Sequence, residues 1–162
     1  VTGQNRWYDL ARFPPSTRVQ SLYLQTGRKL GDKPATSSAP DSYRYDPAKP
    51  TPNVGGAIFA FNGAGPVDNG SLEKRQDVLV YTGTKLTEEL TIVGNVVTRL
   101  HVASSLEHTD FFVRLCDVDI NGISTNICDA ILRLSPDRDV PTENGDDGRL
   151  CKKIYRWALR IL

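Results

Sequence analysis

Two groupings in this chain hold the residue types of known chemistry. Ser104, Ser105, His108 and Asp110 supply the hydroxyl, imidazole and carboxylate with which a hydrolase activates a serine. They fall within seven positions of one another, whereas a triad draws its members from separate elements into a fixed relay geometry. Turn chemistry at a strand end is the reading their spacing favours, and no Gly-x-Ser-x-Gly nucleophile elbow occurs anywhere in the chain. The second grouping, Asp117-Val118-Asp119-Ile120-Asn121-Gly122, copies the first six positions of an EF-hand calcium loop. Its twelfth position, where a bidentate glutamate is needed, is Cys128. Alternation along a strand followed by an Asn-Gly turn explains the same letters without a metal.

The remaining candidates are thinner. Cys116, Cys128 and Cys151 are three cysteines, so at least one thiol has no intramolecular disulfide partner. A cross-strand disulfide between Cys116 and Cys128 is geometrically thinkable. The alternative is that thiols pack in the interior as small apolar groups. No Cys-x-x-Cys pair, P-loop or Gly-x-Gly-x-x-Gly is present, so neither a zinc site nor a phosphate-cradling loop is signalled, and no cofactor is expected. Asn69-Gly70-Ser71 fits a glycosylation sequon, which matters only in a secreted eukaryotic protein. With a net charge of +1, the chain has no general pull toward nucleic acid or anionic membranes. It contains no apolar run of about 18 residues, so no membrane-spanning helix is expected.

The elements that must position these residues are read from periodicity. At 162 residues and 39% apolar, the chain is long enough for one domain with a real core. Asp77 to Thr82 is a short β-branched run that predicts a strand with two buried faces. In Val96 to Val102, Val96, Thr98, Leu100 and Val102 share one face while Val97, Arg99 and His101 share the other. Phe111, Val113 and Leu115 repeat the pattern, and Asn121-Gly122 predicts a type I′ hairpin turn before Ile123 to Leu134 runs back. Leu22-Tyr23-Leu24 predicts one more short strand, and Ser71 to Arg75 one polar helical turn. Gly31 to Pro52, rich in Pro, Ser, Lys and Asp, reads as an extended connection long enough that it must pack over something. Gly55-Gly56 opens the apolar run Ala57 to Phe61, which Asn62-Gly63-Ala64-Gly65-Pro66 closes as a loop.

An ordered set of segments carries a resemblance. It comprises Tyr45-Asp46-Pro47-Ala48-Lys49-Pro50-Thr51-Pro52 with Gly55-Gly56, Gly65-Pro66-Val67-Asp68, and Leu72-Glu73-Lys74-Arg75-Gln76-Asp77-Val78-Leu79-Val80-Tyr81. Ser104-Ser105 with Thr109-Asp110-Phe111, then Leu115-Cys116-Asp117-Val118 and Asp129-Ala130-Ile131-Leu132-Arg133, extend it. Together these resemble the C-terminal domain of X-Pro dipeptidyl peptidases and of the related cocaine-esterase and α-amino acid ester hydrolase group. The similarity reaches back to Asn5-Arg6-Trp7. It implies an all-β fold, a jelly-roll β-sandwich of the galactose-binding-like type. It also implies a partner, an α/β-hydrolase catalytic domain of the same parent protein that holds the Ser, Asp and His. By position, the segment after the paired glycines would help wall the substrate pocket, which points to Phe59 and Ala60 with Asn62 nearby. The alternative for Phe59 and Phe61 is that they are core and loop-packing residues.

The chain departs from the family pattern in two places. Asp68-Asn69-Gly70 stands where the family usually reads Asp-Gln-Arg, and the match stops after Arg133. The expected organisation is therefore an entry strand and connector over 1–45, a sandwich over 46–134, incomplete at its C-terminus, and a divergent tail over 135–162 that forms a strand or a short basic amphipathic helix. A sandwich lacking its closing strands would leave a sheet edge uncovered, with self-association through it as one consequence. A start at Val1 fits a processed product or a piece of a longer protein, and gives no localisation. Three functions follow: accessory domain of a serine hydrolase, free-standing carbohydrate-binding-like module, or inactive remnant of a hydrolase. Trp7, Tyr43, Tyr45 and Trp157 are the aromatics with which the second would stack a sugar.

Overall fold

The computed structural model describes residues 6–13, 15–36, 39–59, 61–137, 142–144, 150–154 and 160–161. Its elements in chain order are β1 (Tyr23–Gln25), β2 (Lys29–Gly31), α1 (Gly70–Glu73), β3 (Thr82–Gly83), β4 (Thr98–His101), β5 (Thr109–Val118), β6 (Ser124–Leu134), β7 (Thr142–Asn144), β8 (Leu150–Ile154) and β9 (Arg160–Ile161). Among the described residues, all regular structure apart from the single turn α1 is strand. The fold is all-β, with a six-stranded sheet in the order β1-β2-β3-β9-β5-β6 and a three-stranded sheet in the order β4-β8-β7.

The long antiparallel pair β5–β6 forms where the sequence alternates most regularly. Phe111, Val113 and Leu115 turn inward as expected, while Asp110 and Phe112 face out. Leu115, Cys116, Val118 and Leu134 are buried here, and Leu30 on β2 joins them as the fifth buried apolar side chain among the described residues. The β4 alternation also holds, with Val96, Thr98, Leu100 and Val102 half-buried and Val97, Arg99 and His101 exposed.

Two local expectations are corrected. The run Asp77 to Thr82 joins a ladder only at its end, in β3, while the side chains of Asp77 and Tyr81 bond to the connector. The turn between β5 and β6 is not type I′. Only Gly122 has a positive φ, +84°, whereas Asn121 does not. Gly122 N–H donates to Asp119 O at 3.0 Å and Asp119 N–H donates to Ile123 O at 3.0 Å, which makes a three-residue connection whose glycine forms a bulge. The cause is the Asp119 carboxylate, whose Oδ1 accepts the N–H groups of Asn121 (2.9 Å) and Ile123 (2.8 Å).

The connector packs on the segment before β3. Tyr81 Oη donates to Asp41 Oδ2 at 2.6 Å, Arg75 Nη2 donates to Lys49 O at 2.7 Å, and Thr51 Oγ1 donates to Asp77 Oδ2 at 2.8 Å. At the other end of the chain, Leu150–Ile154 is strand, antiparallel to β4, and Arg160–Ile161 is strand, parallel to both β3 and β5. Trp157 lies outside the described residues.

Candidate functional site

The segment from Val54 to Glu73 lies across the outward face of β5–β6, and polar side chains hold it there. Gly56 and Gly65 close the base of a loop by exchanging backbone hydrogen bonds, each 2.8 Å. Gly55 and Gly56 both have positive φ, +64° and +80°, and neither has room for a side chain. A Cβ on Gly55 would stand 2.5 Å from Val67 Cγ2, and one on Gly56 would collide with Asp129 Oδ2. Asn126 then grips the returning arm: its Oδ1 accepts Val67 N–H at 2.8 Å and its Nδ2 donates to Gly65 O at 3.1 Å.

Arg114 is the centre of this arrangement. Its side chain is 7% exposed and its Nη2 donates to Asp129 Oδ2 at 2.7 Å, across the β5–β6 pair. Nη1 donates to Asn69 Oδ1 at 2.7 Å and to Val54 O. Asn69 is also buried, and its Nδ2 donates to Val67 O (2.9 Å), Ser124 O (3.3 Å) and Asn126 Oδ1 (3.3 Å). Ser124 Oγ donates to Glu73 Oε1, which ties the helical turn to the same surface. Arg114 Nε is buried without a hydrogen-bond partner, and the Phe112 ring lies 5.1 Å from the guanidinium carbon. With Nη1 and Nη2 of Arg114 and the amides of Asn69 and Asn126 all engaged, and Nε alone left over, these groups serve to hold a backbone.

That rigid base presents an apolar tip. Phe59 and Phe61 are both fully exposed, so the core reading of these side chains is overturned, and Asn62 is exposed beside them. Ala60 lies outside the described residues. Two exposed phenylalanines on a loop anchored by a charged, buried clamp form a surface suited to apolar contact.

The other groupings are absorbed by structure. Ser104 Oγ shares a hydrogen bond with Thr109 Oγ1 (2.6 Å) and accepts Leu106 N–H (3.1 Å), while Asp110 receives Arg133 on both carboxylate oxygens at 2.7 and 2.6 Å. This is the strand-end turn chemistry expected of them. Hydrogen bonds from Ile123 N–H first, then from Asn121, hold the Asp119 carboxyl below its usual range. Among the described residues no three His, Cys, Asp or Glu side chains converge as metal ligands. Cys116 and Cys128 remain thiols, because Cys116 faces Asn126 and Cys128 faces Leu115 across the pair. The sequon asparagine, Asn69, has its Nδ2 buried in the clamp. No helix among the described residues is long and apolar enough to cross a membrane.

Comparison with known proteins assigns the family. A model of the family described as the X-Pro dipeptidyl-peptidase C-terminal non-catalytic domain matches residues 1–149, so the similarity runs beyond Arg133, where the sequence pattern was expected to stop. The chain belongs to this family. It is 35% identical over 145 residues to a protein named cocaine esterase from Rhodococcus sp. (strain MB1 Bresler), an alignment covering 83% of this chain and 25% of that protein. The chain thus spans about a quarter of the length of that curated relative. No solved structure matches it. Sequence reading located the glycine-bounded loop but missed the clamp beneath it. Arg114 and Asp129 could have been found by counting outward along both arms from the Asn-Gly turn. Asn69, Ser124 and Asn126 carried no such signal.

Proposed function

We propose that this chain is an accessory domain of a serine hydrolase of the X-Pro dipeptidyl-peptidase, esterase or acylase kind. Its sandwich is a galactose-binding-like jelly roll that packs on an α/β-hydrolase domain of the same parent protein, and its glycine-bounded loop contributes to the substrate pocket through Phe59, Ala60 and Asn62. The observation that carries this reading is the contrast within the loop. Its base is held by a bridge, a buried guanidinium and two buried asparagines, while its tip exposes Phe59 and Phe61 completely. Holding two large apolar side chains in water forfeits roughly 1.5–3 kcal/mol each, a cost recovered when a partner surface covers them. Family membership supplies the partner class.

The test uses the parent protein with its catalytic domain in place. Phe59→Ala and Phe61→Ala are compared with the unaltered protein for kcat/KM on an X-Pro p-nitroanilide and a p-nitrophenyl ester. The expected result is a loss of roughly 10-fold or more on at least one substrate, with thermal stability of this domain unchanged. Unchanged kcat/KM in both variants on both substrates would remove the loop from the pocket.

A further inference from the structure

We infer that Asn62 is a site of spontaneous covalent modification, where the side chain cyclises with Gly63 to a succinimide that opens to aspartate or isoaspartate. The chain holds four Asn-Gly pairs, Asn62-Gly63, Asn69-Gly70, Asn121-Gly122 and Asn144-Gly145. Glycine is the most reactive follower of asparagine, because it has no side chain to shield its backbone nitrogen. That nitrogen attacks the asparagine Cγ. A new C–N bond forms, the Cγ–Nδ2 bond breaks, and Nδ2 takes up the glycine N–H proton and leaves as ammonia. Water then opens the ring at one of its two C–N bonds: at Cγ to give aspartate, or at the main-chain carbonyl to give isoaspartate. No oxidant, reductant or enzyme is needed. Folding decides which pairs react, since nitrogen and amide must be free to meet.

Gly145 lies outside the described residues, and the other three pairs stand in contrasting surroundings. Asn69 is locked. It is buried, its Oδ1 accepts Arg114 Nη1 at 2.7 Å, its Nδ2 donates to Val67 O at 2.9 Å, and Gly70 N–H donates to Asp68 Oδ1 at 2.9 Å. Cyclisation there would have to break all of these bonds inside the clamp. Asn121 is held less firmly: its Nδ2 donates to Asp119 Oδ2 at 3.3 Å, and Gly122 N–H donates to Asp119 O at 3.0 Å. The Asp119 carboxylate also opposes the negative charge that develops as the Gly122 nitrogen loses its proton. Asn62 is exposed at the loop tip. Among the described residues neither its amide nor the Gly63 N–H has a hydrogen-bond partner. Gly63 has a φ of +81° and no atom within 4 Å of where its Cβ would stand, so its nitrogen can swing toward the amide. Conversion sets a carboxylate beside Phe61, and isoaspartate also lengthens the main chain by one methylene. Under the function proposed above, a charge thereby enters the pocket wall, but the reaction itself does not rest on that reading.

Peptide mapping by mass spectrometry tests this on the full 162-residue chain, incubated folded at mildly alkaline pH and sampled over time. Each asparagine is read separately as the mass gain of an amide becoming an acid, and isoaspartate is confirmed by enzymatic methylation of the peptide. Asn62 should convert roughly 10-fold or more faster than Asn69, with Asn121 between them. Asn62→Gln should abolish conversion at that position, since the larger ring closes far more slowly. In guanidinium, where the chain is unfolded, the three rates should converge, because the folded surroundings are what separate them. An Asn62 that stays intact in the folded chain, an Asn69 that converts as fast, or a ranking that persists after unfolding would overturn the inference.

Discussion

Asp77 shows how one carboxylate ties pH to stability. Arg75 reaches both its oxygens (2.8 and 2.7 Å), Thr51 adds a hydroxyl, and together they hold the Asp77 pKa at about 2, against roughly 4 for an unfolded chain. The folded state therefore binds fewer protons than the unfolded state between those values. The stabilisation from Asp77 is complete above the unfolded pKa and lost as pH falls through the folded one. In urea unfolding between pH 5 and pH 2.5, the unaltered chain should lose stability more steeply than Asp77→Asn, and superimposable pH profiles would contradict the assignment. Cys128 is the opposite case. Burial first, then the neighbouring Asp129 and Cys116, push its thiol up to about 12. At pH 8 its thiolate fraction is smaller than that of an unperturbed thiol by roughly a thousandfold, so iodoacetamide should label it slowly in the native chain and readily after unfolding. Equal labelling in both states would show that the thiol is neither buried nor shifted.

At the scale of elements, the β5–β6 hairpin explains why some of the sequence reading survived a wrong turn. The three-residue connection slips the pairing by one residue relative to a type I′ hairpin. A bulge between Leu115 and Cys116, opposite Ile127, slips it back. Beyond the bulge, Arg114 meets Asp129 and Asp110 meets Arg133, as a plain Asn-Gly hairpin would have paired them. Between turn and bulge the sequence register fails, and there Asn126 and Ser124 turn toward the covering loop. The clamp so formed should be costly to break. Arg114→Ala leaves the Asp129 carboxylate without its ion-pair partner beneath Gly56, and should lower unfolding stability by about 3–5 kcal/mol. Gly56→Ala introduces both a Cβ clash and strained backbone, a loss of about 1–3 kcal/mol. Urea midpoints read both, and a change below about 0.5 kcal/mol in either variant would deny the clamp its structural role.

For the whole molecule, binding surfaces and structural groups separate. The Phe59 and Phe61 tip, proposed to meet a catalytic domain, is exposed. Phe59→Ala and Phe61→Ala should therefore leave the thermal midpoint of the domain within about 2 °C while lowering the activity of the parent hydrolase. A drop in the midpoint comparable to that of Arg114→Ala would mean that the rings support the fold instead.

The sequence by itself determined the all-β class, the alternating faces of β4 and β5, the two arms of the hairpin and the family, because period-two patterning and ordered segments are local properties of the chain. It also identified the loop between the paired glycines. Tertiary structure alone decided that Phe59 and Phe61 are exposed and that the sequon asparagine is an internal clamp. Tertiary structure also set how far the run at Asp77 enters a ladder. These depend on which distant backbone groups compete for the same side chain. Val54, Val67 and Ser124 meet at Arg114 and Asn69 from separate stretches of chain, and no window along the sequence contains all of them.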